Sequence, residues 1–152
     1  MNDSQAASLC GEHFVAAMLA GHKLSVALPR GGAARDDLFV ADSKHGRPIR
    51  VQVKTARDPY GRYKREDICS WETSCNIVGT HHDGMWYAFV ALQGWPVTSN
   101  LPNVYFVPSA VVAICLEKGV GQSRTFFWMK LPDSVPYLNA DGLELLKAAV
   151  KQ

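Results

Sequence analysis

Residues 49–55 read Ile49-Arg50-Val51-Gln52-Val53-Lys54-Thr55, so apolar and polar side chains alternate along the segment. This alternation predicts a β-strand, because successive side chains of a strand point to opposite faces of the sheet. The apolar face has to pack against a helix. Gln52 and Lys54 then project together from the other face, about 7 Å apart along the strand. Polar side chains in mid-strand indicate a solvated face or a functional site.

The preceding segment is predicted to pair with this strand. Asp37-Leu38-Phe39-Val40-Ala41 has the pattern of a strand, and His45-Gly46-Arg47 is typical of the hairpin loop between two strands. Antiparallel pairing in this hairpin brings Asp37 beside Gln52 and Lys54. Three polar side chains are therefore expected at one place on the sheet.

A carboxylate on the first helix is predicted to join them. Glu12 lies on the helix stripe that also carries Val15 and Leu19, which is the stripe expected to pack on the sheet. A carboxylate on such a stripe costs several kcal/mol unless it is paired, protonated or near a cation. We therefore expect Glu12 to meet Asp37, Gln52 and Lys54 at one edge of the sheet.

The remaining pattern predicts helices and strands in succession. An N-terminal helix is expected from a cap at Asp3 or Ser4 to about Ala20, with its second half apolar on nearly every face and so buried on more than one side. Further strands are predicted over 24–28, 85–92, 103–107 and 126–131, a short helix over 109–116, and a C-terminal helix from an Asp141–Glu144 capping box. Residues 56–84 are polar and carry only weak signals. The order predicts an α/β fold, with a mixed central sheet flanked by an N-terminal helix and a C-terminal helix.

Length and composition fit one globular domain over residues 1–152. Hydrophobic residues make up 47% of the chain and charged residues 20%, which argues against a disordered protein. The longest apolar run, 85–92, is too short to span a membrane, and the first residues lack the basic flank of a signal peptide. The four cysteines (Cys10, Cys69, Cys75 and Cys115) show no CxxC spacing, so we expect reduced thiols in the cytoplasm.

A basic block covers residues 44–65. It contains eight of the sixteen Lys and Arg residues, a single acid, and the aromatic residues Tyr60 and Tyr63. Such a block indicates either a nucleic-acid-binding surface or a solvated loop.

Two other features of the sequence also allow both a functional and a purely structural interpretation. Gly31-Gly32 could present N–H groups to a phosphate or simply form a turn, and Trp71 could stack on a base or belong to the core.

The order of these polar residues resembles a known nuclease superfamily. Gly11-Glu12 on a helix, Asp37-Leu38-Phe39-Val40 on a strand and Val51-Gln52-Val53-Lys54-Thr55 on the next strand resemble the PD-(D/E)XK nucleases. The likeness is to the small Holliday-junction-resolvase-like and restriction-endonuclease-like members, with a Gln-x-Lys form of the second half-motif. The resemblance implies a restriction-endonuclease-like core and metal-dependent hydrolysis of phosphodiester bonds in DNA.

The resemblance also implies a role for each residue. Asp37 would supply a carboxylate oxygen to Mg²⁺ (or Mn²⁺), and Gln52 would offer its amide oxygen where most members have a second carboxylate. Glu12 would bind a second metal or a metal-bound water. Lys54 would position the attacking water or stabilise the charge that develops on the phosphorane.

The basic block is then expected to hold the substrate. Arg57, Arg62, Lys64 and Arg65 follow the Lys54 strand, so we expect them to flank the cleft and contact phosphates. A homodimer is expected at the level of the superfamily, since each site cuts one strand. The alternatives are a nucleic-acid-binding module that has lost turnover through Gln52, and an interaction or immunity-type protein that uses the sheet face for a protein partner.

Overall fold

The structure, a computed structural model, describes residues 2–29, 36–42, 44–74, 82–118 and 124–152. The Gly31-Gly32 turn and Cys75 lie outside these ranges. Among the described residues, helices cover Asp3–Gly21 (α1), Ser109–Cys115 (α2), Leu131–Ser134 (α3) and Asn139–Val150 (α4), and a 3₁₀ turn covers Val135–Tyr137. Strands cover Ser25–Ala27 (β1), Leu38–Asp42 (β2), His45–Ala56 (β3), Tyr60–Tyr63 (β4), Glu66–Ser74 (β5), Met85–Ala91 (β6), Asn103–Pro108 (β7), Leu116–Lys118 (β8) and Arg124–Lys130 (β9).

The first sheet has the order β1-β2-β3-β6-β7 in the described part of the chain. β3 pairs with β6 in parallel, and the other neighbours pair antiparallel, so the sheet is mixed as predicted. β2 and β3 form the expected hairpin, with Leu38 opposite Val51. Gln52 and Lys54 lie opposite Tyr87 and Phe89 of β6.

Each face of the first sheet is covered by a different layer. α1 and α4 cover one face, where the apolar side chains of β3 pack with Val15, Leu19 and Leu146. The predicted flanking of the sheet by an N-terminal and a C-terminal helix is therefore confirmed. The opposite face packs against a second, antiparallel sheet of order β4-β5-β9-β8 and against α2. No helix among the described residues is both long enough and apolar enough to cross a membrane.

The second sheet corrects the expectation for residues 56–84. β4 and β5 form a hairpin there, and β5 pairs from Ile68 to Ser74 with β9, fifty or more residues later in the chain. Trp71 of β5 is buried, packs on Phe89 and Phe127, and donates its indole N–H to the Val90 carbonyl at 2.9 Å. It belongs to the core, and the idea that it stacks on a base is wrong.

Several helix and turn boundaries also differ from expectation. Asn2, rather than Asp3 or Ser4, caps α1 and forms a capping box with Gln5. The fully buried residues of α1 share a single stripe, at spacings of four (Ala7, Gly11, Val15 and Leu19), so the helix is not buried on several sides. α4 begins at Asn139, which places Asp141 in the first turn instead of at a capping box. The β2–β3 turn precedes His45, which already pairs with Asp42.

Candidate active site

An open cleft of about 460 Å³ lies where α1 meets β3 and β5. Its lining is polar and comes from four parts of the chain: Ser4, Ser8 and Glu12 of α1, Asp37 just before β2, Val53, Lys54 and Thr55 of β3, and Glu72 and Thr73 of β5. The cleft thus brings together Glu12, Asp37 and Lys54, three of the four residues expected to converge.

Asp37 is fixed to β3 by two backbone hydrogen bonds. Its carboxylate Oδ2 accepts from the Val53 N–H at 2.7 Å, and its own N–H donates to the Val51 carbonyl at 3.2 Å. Leu38, the next residue, points into the core shared with α1 and α4, so Asp37 faces the other way. This is the face on which Gln52 and Lys54 lie, as the alternation predicts.

Glu12 reaches the cleft because α1 lies directly on β3. The helix approaches closely at Gly11, where a Cβ atom would come within 1.9 Å of Thr55 Oγ1. Thr55 Oγ1 is itself buried without a hydrogen-bond partner in the structure. A glycine at position 11 is therefore what allows the helix to place the next residue, Glu12, beside Asp37.

Replacing Gly11 by alanine should push α1 away from β3. We expect the free energy of unfolding to fall by about 1–3 kcal/mol, as for other overpacked contacts, and Tm to fall by roughly 3–10 °C. Gly21 is the matched control, since a Cβ added there at the end of the same helix meets nothing within 4 Å. Thermal unfolding of Gly11→Ala and Gly21→Ala checks this, and an equal Tm for the two variants would contradict the close contact.

Burial and a neighbouring acid raise the pKa of both Glu12 and Asp37 in the cleft. Burial raises the pKa of Asp37, and the Val53 N–H and the Lys54 ammonium offset this only in part. Burial also raises the pKa of Glu12, and the nearby Asp37 charge adds to the effect. The Lys54 ammonium favours ionisation of both groups. A cation bound between the two carboxylates would relieve this repulsion.

The raised pKa values predict how the metal-free protein responds to pH. Between the ordinary and the raised pKa of these carboxyls, the folded state holds more protons than the unfolded state. The free energy of unfolding should therefore decrease as the pH rises through that window. Urea unfolding in EDTA at a series of pH values measures this, and the decrease should shrink in Glu12→Gln. A larger decrease in the free energy of unfolding for that variant would mean that Glu12 is not one of the carboxyls with a raised pKa.

The fourth predicted residue, Gln52, does not line the cleft. It shares the sheet face of Lys54 but lies two residues back along β3, and it is partly buried opposite Tyr87. The side chains that the sequence did not single out are Ser4, Ser8, Thr55, Glu72 and Thr73. Glu72 and Thr73 reach the cleft only because β5 pairs with β9, and that pairing leaves no local signal in the sequence.

The cations of the basic block separate into two groups. Arg57 follows β3 and lies near the start of α1, with its guanidinium 3.7 Å from the Asp3 carboxylate. Arg62, Lys64 and Arg65 lie at the end of the β4–β5 hairpin. Six residues of β5 separate Glu66, at that end, from Glu72 in the cleft, which corresponds to about 20 Å of strand. Of these four cations, Arg57 alone is therefore close to the cleft, which Lys54 of the same block lines.

The donor set of the cleft suits a hard divalent cation. Three carboxylates (Glu12, Asp37 and Glu72) and neutral oxygens line it, and Mg²⁺ is usually bound by one or two carboxylates, with water and substrate phosphate as the other ligands. Among the described residues, no group of three or more His, Cys, Asp or Glu side chains gathers tightly enough to enclose a metal. The cleft thus fits a metal shared with a substrate better than one enclosed by protein alone.

Comparison with known proteins relates the fold to one solved structure in particular. No known family and no curated protein matches the sequence. The structure is similar to that of a bacterial homing endonuclease, I-Ssp6803I, with a TM-score of 0.62 and 14% sequence identity, over 98% of this chain and 95% of that one. This likeness extends over both sheets and the flanking helices. The chain therefore has a mixed α/β fold of the kind found in a bacterial homing endonuclease.

Proposed function

We propose that this protein is a metal-dependent endonuclease of the PD-(D/E)XK type, which hydrolyses phosphodiester bonds in DNA. The observation that carries the proposal is the convergence of Glu12, Asp37 and Lys54 in one open, polar cleft. The fold shared with a homing endonuclease supports it, since that fold accommodates a nuclease in at least one other protein.

The two carboxylates would hold the metal. Asp37 is fixed in place through its bond to the Val53 N–H, which leaves its other carboxylate oxygen available to a cation. Glu12 reaches the cleft from α1 and would supply a second carboxylate, to a second metal or to a metal-bound water. When bound, Mg²⁺ or Mn²⁺ supplies a Lewis acid for the phosphoryl oxygen and lowers the pKa of water.

Lys54 would act on the substrate itself. It lines the cleft with both carboxylates, and its positive charge favours their ionisation. From there it can donate a hydrogen bond to a phosphoryl oxygen and stabilise the negative charge that grows in the transition state. It can equally orient the attacking water. In both roles the positive charge is what matters.

Gln52 provides a separate test of the metal site. If its amide oxygen is a ligand, Gln52→Glu should tighten Mn²⁺ binding by adding a charge, and should keep or increase cleavage. The structure favours a smaller effect than for Asp37, because Gln52 does not line the cleft. Calorimetric titration of Mn²⁺ into both forms measures the difference. Undetectable heats in both, together with no cleavage, would favour the inactive nucleic-acid-binding module.

The experiment that tests the function is a cleavage panel. Supercoiled plasmid, linear duplex, a four-way junction, single-stranded DNA and RNA are each incubated with the protein and Mg²⁺, Mn²⁺ or EDTA. We expect cutting of DNA with either metal and none in EDTA. One cleft cuts one strand, so nicked plasmid should precede linear plasmid. Salt-sensitive DNA binding without any cutting would establish the binding module instead.

A further inference from the structure

The β4–β5 hairpin ends in an exposed two-stranded ribbon. Every residue from Gly61 to Asp67 is exposed to solvent, whereas the other end of β5 is buried at Cys69 and Trp71. We call residues 61–67 the ribbon. Tyr63 anchors it, because its ring packs on Trp128 of β9 at 5.9 Å between centroids. This contact holds the ribbon on the second sheet as far as Tyr63, and the turn at Lys64 and Arg65 lies exposed beyond it.

The turn of the ribbon holds two cations in an unfavourable backbone conformation. Tyr63 pairs with Glu66, so Lys64 and Arg65 form a two-residue turn. Their φ angles are 47° and 71°, the left-handed values of a type I′ turn, which strongly favours Asn-Gly. Residues with long side chains keep such a backbone conformation only where the surrounding structure offsets its energetic cost. Residues in such conformations cluster at binding sites.

The two cations at the tip have no acidic partner among the described residues, whereas the acids of the ribbon are both engaged. Asp67 pairs with Arg62 at 3.1 Å, and Glu66 pairs with Lys130 at 2.7 Å. Lys64 extends over the Tyr63 ring, 5.2 Å from its centroid. The acids are thus neutralised along the sides, and the unpaired positive charge is concentrated at the tip of the ribbon.

We infer that the ribbon enters the major groove of duplex DNA and that Lys64 and Arg65 contact base edges there. This inference rests on the proposed function. The major groove admits a two-stranded β-ribbon, and Arg and Lys recognise the O6 and N7 atoms of guanine. Glu66, the residue that follows the tip, lies about 20 Å along β5 from Glu72 in the cleft, which equals roughly six base pairs of duplex. The ribbon would therefore select sequence about six base pairs from the cut.

The variant Lys64→Asn/Arg65→Gly tests this without threatening the fold. Asn-Gly suits the turn, so the Tm should not fall, while both cations are removed. Lys23→Asn/Lys151→Gln is the matched control, because it removes two exposed cations elsewhere, and Lys23 also has a positive φ. Wild type and both variants select duplexes from a random-sequence library by binding, and sequencing gives the preferred bases.

Wild type and the control should share a preference that includes guanine, and cleavage of the selected duplexes should place it about six base pairs from the cut. The ribbon variant should lose that preference and bind the selected duplex roughly 10–100-fold more weakly, with less than about threefold loss on unrelated duplexes. If the ribbon variant loses affinity equally for the selected and the unrelated duplexes, Lys64 and Arg65 contact phosphates and the inference is overturned. A wild type that selects no preferred bases would overturn it as well. Because the readout is binding, protein that binds selectively but never cuts would refute only the proposed function.

Discussion

Lys54→Ala is expected to cut DNA about 10³-fold more slowly than the wild type under single-turnover conditions. Loss of one preorganised donor to a developing oxyanion costs about 10²–10³ in rate, and a charged donor in a polar cleft belongs at the upper end. Binding of duplex DNA should fall by less than about tenfold, because one phosphate contact is removed. Cleavage rates at saturating protein, with Kd measured in EDTA, separate the two effects.

Lys44→Ala is the matched control for this variant. Lys44 is exposed in the turn that precedes β3, at the opposite end of the strand from Lys54. A separation of ten residues along the strand places it more than about 30 Å away, so its charge cannot act in the cleft. If the two lysine variants cut equally well, Lys54 has no part in the chemistry and the cleft is not the active site.

Asp37→Asn should abolish cleavage and weaken Mn²⁺ binding by at least about tenfold, yet leave the metal-free protein at least as stable as the wild type. The loss follows from removing a carboxylate that would bind the metal. The stability follows from the raised pKa of Asp37, since the folded state disfavours its charge and a neutral amide removes that cost. The amide oxygen can still accept the hydrogen bond from the Val53 N–H.

Asp36 offers a control at the adjacent position. Its carboxylate pairs with Arg50 at 3.8 Å and does not line the cleft. Asp36→Asn should therefore keep Mn²⁺ binding and cleavage, and lose stability if anything. Calorimetry with Mn²⁺ and thermal unfolding in EDTA compare the two variants directly. If only Asp36→Asn loses metal binding, the metal ligand is Asp36 and not Asp37.

The first sheet and the place of Asp37 could be predicted because their signals are local. Alternation along β3 sets which side chains share a face, and a short hairpin sets the register that places Asp37 beside Lys54. Glu12 could be placed on the sheet-facing side of α1 from helical spacing alone. In each case, one element and its nearest neighbour in the chain determine the geometry.

The second sheet could not be predicted, because its pairing is distant in sequence. β5 carries only a few apolar residues between polar ones, and these become a core only when β9 and β6 cover them. Trp71 shows the difficulty: polar neighbours made it resemble a surface aromatic, yet it is buried against Phe89 and Phe127. Glu72, the third carboxylate of the cleft, was missed for the same reason.

The most direct measurement of the central claim is metal rescue of cleavage in protein that has been stripped with EDTA. Supercoiled plasmid is incubated with wild type, Asp37→Asn and Lys54→Ala while Mn²⁺ is titrated back. We predict that wild type is inactive without metal and recovers strand cleavage as Mn²⁺ is added, whereas neither variant recovers within the same time. Cleavage that persists in EDTA, or that returns equally in all three proteins, would contradict a metal-dependent nuclease site in this cleft.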